Sequence, residues 1–149
     1  MNRQLEGDAG RGKGIIAVDV AECALQKTLL DSGKIEFLRA NARQLPLDDK
    51  QFDFATGDLS FISLTYVLSE VFRVLKNGGE AVMLVKPQFE LDKSSLDKNG
   101  IVKTEKLRER ALASVKSFAN QVGFEILNVA TSPIRYQTKN VEYLLWLKK

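Results

Sequence analysis

Short apolar runs that alternate with helical patterns constrain the fold of this chain more than any other feature. Residues 15–20, 35–38, 52–56 and 81–85 are such runs, and several of them are followed directly by a polar or charged residue. The runs 15–20, closed by an acid, and 81–85 are nearly continuous, which is typical of strands buried on both faces. Their alternation with helical segments predicts an α/β fold with a mostly parallel sheet, covered by helices on both faces.

Apolar residues at helical spacing predict three helices between the strands. The first covers residues 22–30, the second carries apolar positions from 64 to 75 and ends at the glycines of 77–79, and the third carries positions 107–122 and stops at Gly123. Residues 91–100 are polar and indicate a long loop. Two closing strands, 124–129 and 141–147, complete the pattern, and the last one is expected to run antiparallel.

Composition excludes several classes of function. The chain of 149 residues is the size of one domain and contains no histidine, which excludes His-based metal sites and Ser-His triads; we predict no metal site. One cysteine excludes an internal disulfide and favours a reducing cytoplasm. No apolar run approaches the roughly 18 residues needed to span a bilayer. The net charge of +3 is compatible with nucleic acid but fits an ordinary solvated surface equally well.

Three charged residues, Asp58, Lys86 and Glu142, are the strongest candidates for a catalytic site. Asp58 and Lys86 follow predicted parallel strands, and the carboxyl ends of such strands border the binding crevice of an open α/β sheet. If the last strand is antiparallel, Glu142 begins it at the same edge. Partial burial of a lysine there favours the neutral amine that can accept a proton. Taken singly, Asp58 is equally explained as a helix cap and Glu142 as a charge on a strand edge.

Two further residues are candidates for a nucleotide-type cofactor. Asp19 ends the first apolar run, where an acid commonly accepts hydrogen bonds from ribose hydroxyls; capping of the next helix explains it about equally well. Asn41 lies in a sharp turn with Pro46 and could face an adenine edge, although turn chemistry alone accounts for both residues. Gly10–Gly14 is rejected as a phosphate loop, because such a loop follows a strand and opens a helix.

Five segments of the chain resemble the catalytic domain of the hemolysin A (TlyA) family, a group of FtsJ-like RNA ribose 2′-O-methyltransferases. The resemblance runs from about residue 15 to the C-terminus. Its segments are Ala17-Val18-Asp19-Val20, Asp58-Leu59-Ser60-Phe61-Ile62-Ser63-Leu64, Val85-Lys86-Pro87-Gln88-Phe89-Glu90, Lys98-Asn99-Gly100-Ile101-Val102 and Asn140-Val141-Glu142. The second and third segments are the most specific.

The resemblance implies a Rossmann-like class I methyltransferase sheet and S-adenosylmethionine-dependent 2′-O-methylation of ribose in ribosomal RNA. It implies that Asp58, Lys86 and Glu142 are the last three members of a Lys-Asp-Lys-Glu catalytic tetrad, with Lys86 accepting the proton of the 2′-hydroxyl. The implied cofactor residues are Asp19, Val20, Asn41, Ala42 and Asp58. The implied substrate residues are Ser60, Phe61, Pro87, Gln88 and Phe89. The implied partners are ribosomal RNA or ribosomal subunits, with no membrane.

The chain departs from the family at its N-terminus. The S4-type RNA-binding domain, the first tetrad lysine and the glycine-rich cofactor loop have no counterpart, and only 18 residues precede Asp19, where about 20 are expected between the glycine fingerprint and the acid. We therefore expect residues 1–14 to be a flexible lead-in and residues 15–149 to be an N-terminally truncated domain. An unfilled central position in the sheet would favour a homodimer. The alternative function is a non-catalytic RNA-binding or interaction module derived from the same fold.

Overall fold

A seven-stranded sheet organises the part of the chain described by the computed structural model, residues 3–6, 14–21, 31, 33–134 and 139–149. The strand order across this sheet is β3-β2-β1-β4-β5-β7-β6. The strands are β1 Arg3–Glu6, β2 Ile15–Asp19, β3 Ile35–Arg39, β4 Phe52–Asp58, β5 Leu75–Val85, β6 Glu125–Thr131 and β7 Tyr143–Lys148.

The strand directions confirm the predicted fold class. β2 pairs with β3 in parallel, and β4 pairs with β5 in parallel. β7 lies antiparallel between β5 and β6. Five of the seven strands, β2 to β6, therefore run in the same direction, while β1 and the last strand β7 run against them. The start of β7 lies at the same edge as the carboxyl ends of β4 and β5.

The structure differs from the sequence prediction at the N-terminus, where β1 occupies the middle of the sheet. Arg3–Glu6 pairs antiparallel with both β2 and β4, so these four residues are part of the sheet rather than of a flexible lead-in. The backbone N–H and C=O groups of a short segment can form hydrogen bonds with two neighbouring strands whether its side chains are polar or apolar. The central position is filled, and the reason given above for a homodimer does not apply to this sheet.

Three α-helices lie within the described residues: α1 Leu68–Val74, α2 Pro87–Glu90 and α3 Glu105–Val122. A 3₁₀ turn, Leu64–Tyr66, leads into α1, and α3 ends at Gly123 as the sequence predicts. The short helix α2 was not predicted. The helix expected at residues 22–30 lies outside the described residues. No helix in the described part of the chain is long and apolar enough to cross a membrane.

The second predicted helix ends earlier than its glycines indicated. α1 stops at Val74, and Leu75 begins the eleven-residue strand β5, which runs through the glycines. The chain terminus explains the extension, because Gly78 N donates to Lys149 O at 2.8 Å and Lys149 N donates to Gly79 O at 2.9 Å. Pairing with a distant segment has overridden the local signal for a helix end.

The core lies between the sheet and the helices α1 and α3, which contact each other on one face. Val67, Leu68 and Val71 at the start of α1 and Val115 in α3 have no exposed surface, and neither does Met83 of β5. Burial of each such side chain contributes about 1.5–3 kcal/mol. This packing holds the ends of β4 and β5, and thus the site described next, in a rigid frame.

Candidate functional site

Four charged residues, each at an end of a different strand, gather at the edge of the sheet formed by the carboxyl ends of the parallel strands. Asp19 ends β2, Asp58 ends β4, and Lys86 directly follows β5. Glu142 directly precedes β7 at the same edge. This placement is a consequence of the strand directions alone.

The structure brings Lys86 and Asp58 into contact. Lys86 Nζ lies 2.7 Å from Asp58 Oδ1 and donates to Ser60 Oγ at 3.0 Å. The contact with Asp58 is an ion pair rather than a well-directed hydrogen bond, because its buried Oδ1 receives no hydrogen bond of suitable geometry from the described residues. The Lys86 side chain is 12% exposed. A largely buried amine is thus held between a carboxylate and a hydroxyl.

Glu142 joins this group through Gln88 rather than through Lys86. Gln88 Nε2 donates to Glu142 Oε1 at 3.4 Å, and no ion pair joins Glu142 to Lys86 within the described part of the chain. Asn140 anchors the same segment: it accepts from Val102 N at 2.8 Å and donates to Gly100 O at 2.9 Å. The Lys98-Asn99-Gly100-Ile101-Val102 loop and the start of β7 are therefore tied together.

A cavity of about 870 Å³ opens beside the charged group. Its walls include eight of the predicted site residues: Asp19, Val20, Asn41, Ala42, Ser60, Phe61, Gln88 and Phe89. Four predicted residues are not part of its lining: Asp58, Lys86, Pro87 and Glu142. Ser60 and Gln88 connect the two groups, because each lines the cavity and also forms a hydrogen bond with a charged residue outside the lining.

One side of the cavity has the polar and apolar groups expected for binding a nucleoside. Asp19 is 8% exposed, and its Oδ1 accepts from Ala21 N at 2.9 Å; no other residue in the described part of the chain donates a side-chain or backbone hydrogen bond to its carboxylate. Asn41 forms a tight turn, in which its Oδ1 accepts from Arg43 N at 3.0 Å. Val20 and Ala42 add apolar surface. Cavities of this size, with apolar walls and a few placed polar groups, suit small ligands.

Aromatic side chains line the other side. Phe61 is 78% exposed, has a left-handed backbone with φ of 63°, and lies 5.0 Å from the Phe89 ring. The Arg43 guanidinium lies 4.6 Å from the centre of the Tyr66 ring. An exposed aromatic residue in a conformation that costs about 1–3 kcal/mol is unusual, and such residues cluster at functional sites. Sequence reasoning missed Tyr66, whose helical spacing pointed only to a helix surface.

Pro87, one of the implied substrate residues, lies at the start of α2, and its side chain is among the fully buried ones. Proline is favoured at the first turn of a helix, since its fixed φ suits that position and its missing N–H is not needed there. Initiation of α2 therefore explains why a proline follows Lys86.

Glu90, at the end of α2, is a half-buried carboxylate that also lines the cavity and that sequence reasoning left without a role. Its Oε1 accepts from Leu64 N at 2.8 Å and its Oε2 accepts from Ser63 Oγ at 2.5 Å. Burial raises the pKa of Glu90 above its ordinary value, while these two hydrogen bonds act in the opposite direction. Its position four residues after the catalytic candidate Lys86 was the available signal.

Comparison with known proteins decides the family. The FtsJ-like methyltransferase family model matches residues 3–149, nearly the whole chain. The chain belongs to this family. Among its relatives, the 16S/23S rRNA (cytidine-2′-O)-methyltransferase TlyA of Mycobacterium tuberculosis is 35% identical over 137 residues, which cover 90% of this chain and 51% of that protein. Hemolysin A of Brachyspira hyodysenteriae is 31% identical, over 89% of this chain and 57% of that protein.

Solved structures agree with the FtsJ-like assignment. A protein assigned as a hemolysin from Streptococcus thermophilus superposes with a TM-score of 0.84 at 33% identity, covering 93% of this chain and 51% of that one. A methyltransferase from Listeria monocytogenes has a TM-score of 0.65 at 12% identity, which shows the shared fold alone. The chain spans about half the length of the curated relatives it matches most fully.

Proposed function

We propose that this FtsJ-like chain carries the catalytic site of an S-adenosylmethionine-dependent 2′-O-methyltransferase that acts on ribosomal RNA in the cytoplasm. The observation that carries the proposal is the ion pair between Lys86 and Asp58. Lys86 also donates a hydrogen bond to Ser60, which lines a cavity large enough for the cofactor. The names of the M. tuberculosis and Campylobacter jejuni relatives, both rRNA (cytidine-2′-O)-methyltransferases, supply the substrate class.

The described residues fit the cofactor. Asp19 offers a carboxylate oxygen to ribose hydroxyls, and Asn41 and Ala42 border the space for a base. Asp58, also predicted to contact the cofactor, is not part of the cavity lining, and its carboxylate pairs with Lys86. When bound here, S-adenosylmethionine would supply an electrophilic methyl group.

Lys86 is the proposed proton acceptor for the 2′-hydroxyl. Asp58 stabilises the ammonium that forms when the amine takes the proton, and Ser60 orients the amine from a second direction. Glu142 holds Gln88 at the cavity wall, so its effect on Lys86 is indirect. Orientation of the reacting groups supplies a large part of the rate in such a transfer.

The aromatic side of the cavity is the proposed site for the substrate nucleotide. Phe61 and Phe89 present ring surfaces on which a base can stack, and such stacking contributes about 1–3 kcal/mol per base. Gln88 and Ser60 add polar groups at the cavity wall. Arg43 and Lys93 lie on the same rim and can contact phosphates.

Calorimetric titration with S-adenosylmethionine tests the cofactor site. We expect binding by the wild-type chain, weakened about tenfold or more in Asp19→Ala because a charged hydrogen bond is lost. Asp53→Ala is the matched control, since Asp53 lies near the amino end of the same sheet and pairs with Lys76 at the surface. Equal binding by wild type and Asp19→Ala would contradict the assignment of Asp19.

Methyl transfer to transcribed 16S and 23S ribosomal RNA tests the catalytic role of Lys86. Lys86→Ala should lower kcat about 10²–10⁴-fold, the usual contribution of a general base, with little change in cofactor affinity. A folded chain that binds the RNA without binding S-adenosylmethionine would instead establish the alternative, a non-catalytic RNA-binding module.

A further inference from the structure

Glu90 joins the two segments that follow the catalytic candidates Asp58 and Lys86. The segment after Asp58, residues 59–66, is here called the substrate loop; the segment after Lys86 is helix α2. We infer that Glu90 is a positioning residue that fixes the substrate loop on α2 and thereby sets the geometry of Phe61 and Ser60. The inference deepens the proposed function and rests on it.

The contacts of Glu90 have the form of a clamp. Both carboxylate oxygens are used, one by the Leu64 N–H and the other by the Ser63 hydroxyl. Ser63 Oγ in turn accepts from Thr65 N at 3.2 Å, which caps the 3₁₀ turn that follows. One side chain of α2 thus organises three consecutive residues of the loop.

The energetics also point to a role beyond ordinary packing. Within the described residues, no lysine or arginine forms an ion pair with Glu90. A largely buried carboxylate without a cation is costly, and only good hydrogen bonds offset that cost. Both hydrogen bonds that offset this cost go to the substrate loop, although Glu90 also lines the cavity.

The loop carries its functional groups just before the residues that the clamp holds. Phe61, two residues before Ser63, has its ring against Phe89, the residue that precedes Glu90. Ser60 reaches Lys86, the residue that precedes α2. Because the left-handed φ of Phe61 is strained, the loop keeps this conformation only while its surroundings hold it. Release of Glu90 should therefore misplace both the stacking ring and the hydroxyl on Lys86.

The test compares Glu90→Ala with Glu90→Gln and Ser63→Ala. Glutamine retains an oxygen that can accept from Leu64 N, whereas alanine removes both contacts. The control is Glu109→Ala, an exposed glutamate of α3. Three quantities are measured: the affinity for a fluorescein-labelled single-stranded RNA of mixed sequence, kcat for methyl transfer to transcribed ribosomal RNA, and hydrogen exchange of the Leu64 amide.

We expect Glu90→Ala to weaken RNA binding about tenfold, with Glu90→Gln and Glu109→Ala close to wild type. The Leu64 amide should exchange faster in Glu90→Ala, with unchanged exchange in β4 and β5. In a Phe61→Ala background, Glu90→Ala should have little further effect on RNA affinity, because its effect acts through that ring. Ser63→Ala, which removes one of the two contacts of Glu90, should reproduce part of the loss of RNA affinity. This second variant allows the test to be made even if Glu90→Ala does not fold.

Two failures are distinguishable. A wild-type chain that binds neither S-adenosylmethionine nor RNA overturns the proposed function and this inference with it. A wild-type chain that binds and methylates RNA, while Glu90→Ala or Ser63→Ala does so equally well, overturns the inference alone. Equal losses from Glu90→Ala in the wild-type and Phe61→Ala backgrounds would show a merely structural role and also overturn it.

Discussion

At the scale of single residues, the site depends on side chains whose partners are remote in sequence. Lys86 meets Ser60 and Asp58, and Glu142 meets Gln88 across 54 positions. The resemblance named Ser60 and Gln88 as substrate residues. In the structure each also forms a hydrogen bond with a charged neighbour, so we expect their substitution to affect catalysis and binding together.

The titration of Glu90 gives a prediction for stability at this scale. Its pKa in the folded chain lies above the ordinary value of 4.5, so the folded state binds this proton more tightly than the unfolded state. The resulting stability is present in full below pH 4.5 and is lost as the pH rises through the folded-state pKa. Relative to Glu90→Gln, wild type should therefore become less stable as the pH rises from 4.5 towards neutrality.

Urea unfolding of both proteins over that range measures the difference, and all other titrating groups cancel in the comparison. A difference in unfolding free energy that does not change with pH would contradict the raised pKa.

At the scale of elements, helix ends set the positions of the site segments. α3 ends at Gly123, whose φ of 119° is left-handed and whose amide donates to Ala119 O. This end directs the chain through buried Phe124 into β6. Near the end of α1, Arg73 donates to Leu45 O at 2.9 Å and so holds the turn that follows Asn41 and Ala42.

Gly123→Ala should lower the unfolding free energy by about 1–3 kcal/mol, because alanine is strained at this φ. A Cβ there would also lie 2.9 Å from Phe72 Cζ. Gly78→Ala is the matched control: its φ is also left-handed, at 78°, but its Cβ would meet nothing within 4 Å. Thermal unfolding should show the larger loss for Gly123→Ala, and equal losses would mean that the contact with Phe72 relaxes freely.

At the scale of the whole molecule, the sheet is continuous because β1 lies between β2 and β4. A strand in this position provides hydrogen bonds on both sides, and its loss would separate the part of the sheet that carries Asp19 from the part that carries Asp58 and Lys86. The cavity spans both parts, so its shape depends on β1 even though the described lining contains none of its residues.

Leu5→Pro tests the role of β1. Proline cannot donate to the ladder, and in a central strand the change should cost about 3 kcal/mol or more. Leu5→Ala, which keeps the N–H, separates the backbone contribution from that of the side chain. Circular dichroism and urea unfolding are the measurements. Unchanged stability of Leu5→Pro would support the original interpretation of residues 1–14 as a flexible lead-in.

The six strands β2 to β7, in their order along the chain, and the shared edge of Asp19, Asp58 and Lys86 could be predicted from the sequence, because hydrophobic pattern marks the strands and the carboxyl ends of parallel strands lie at one edge. The antiparallel direction of β7, which brings Glu142 to that edge, was expected but does not follow from hydrophobic pattern. The tertiary structure was needed to show that β5 begins at Leu75, that β1 fills the sheet, that Glu142 contacts Gln88, and that Glu90 contacts the substrate loop. Each of these depends on hydrogen bonds between segments distant in the chain, whose energy no local pattern encodes.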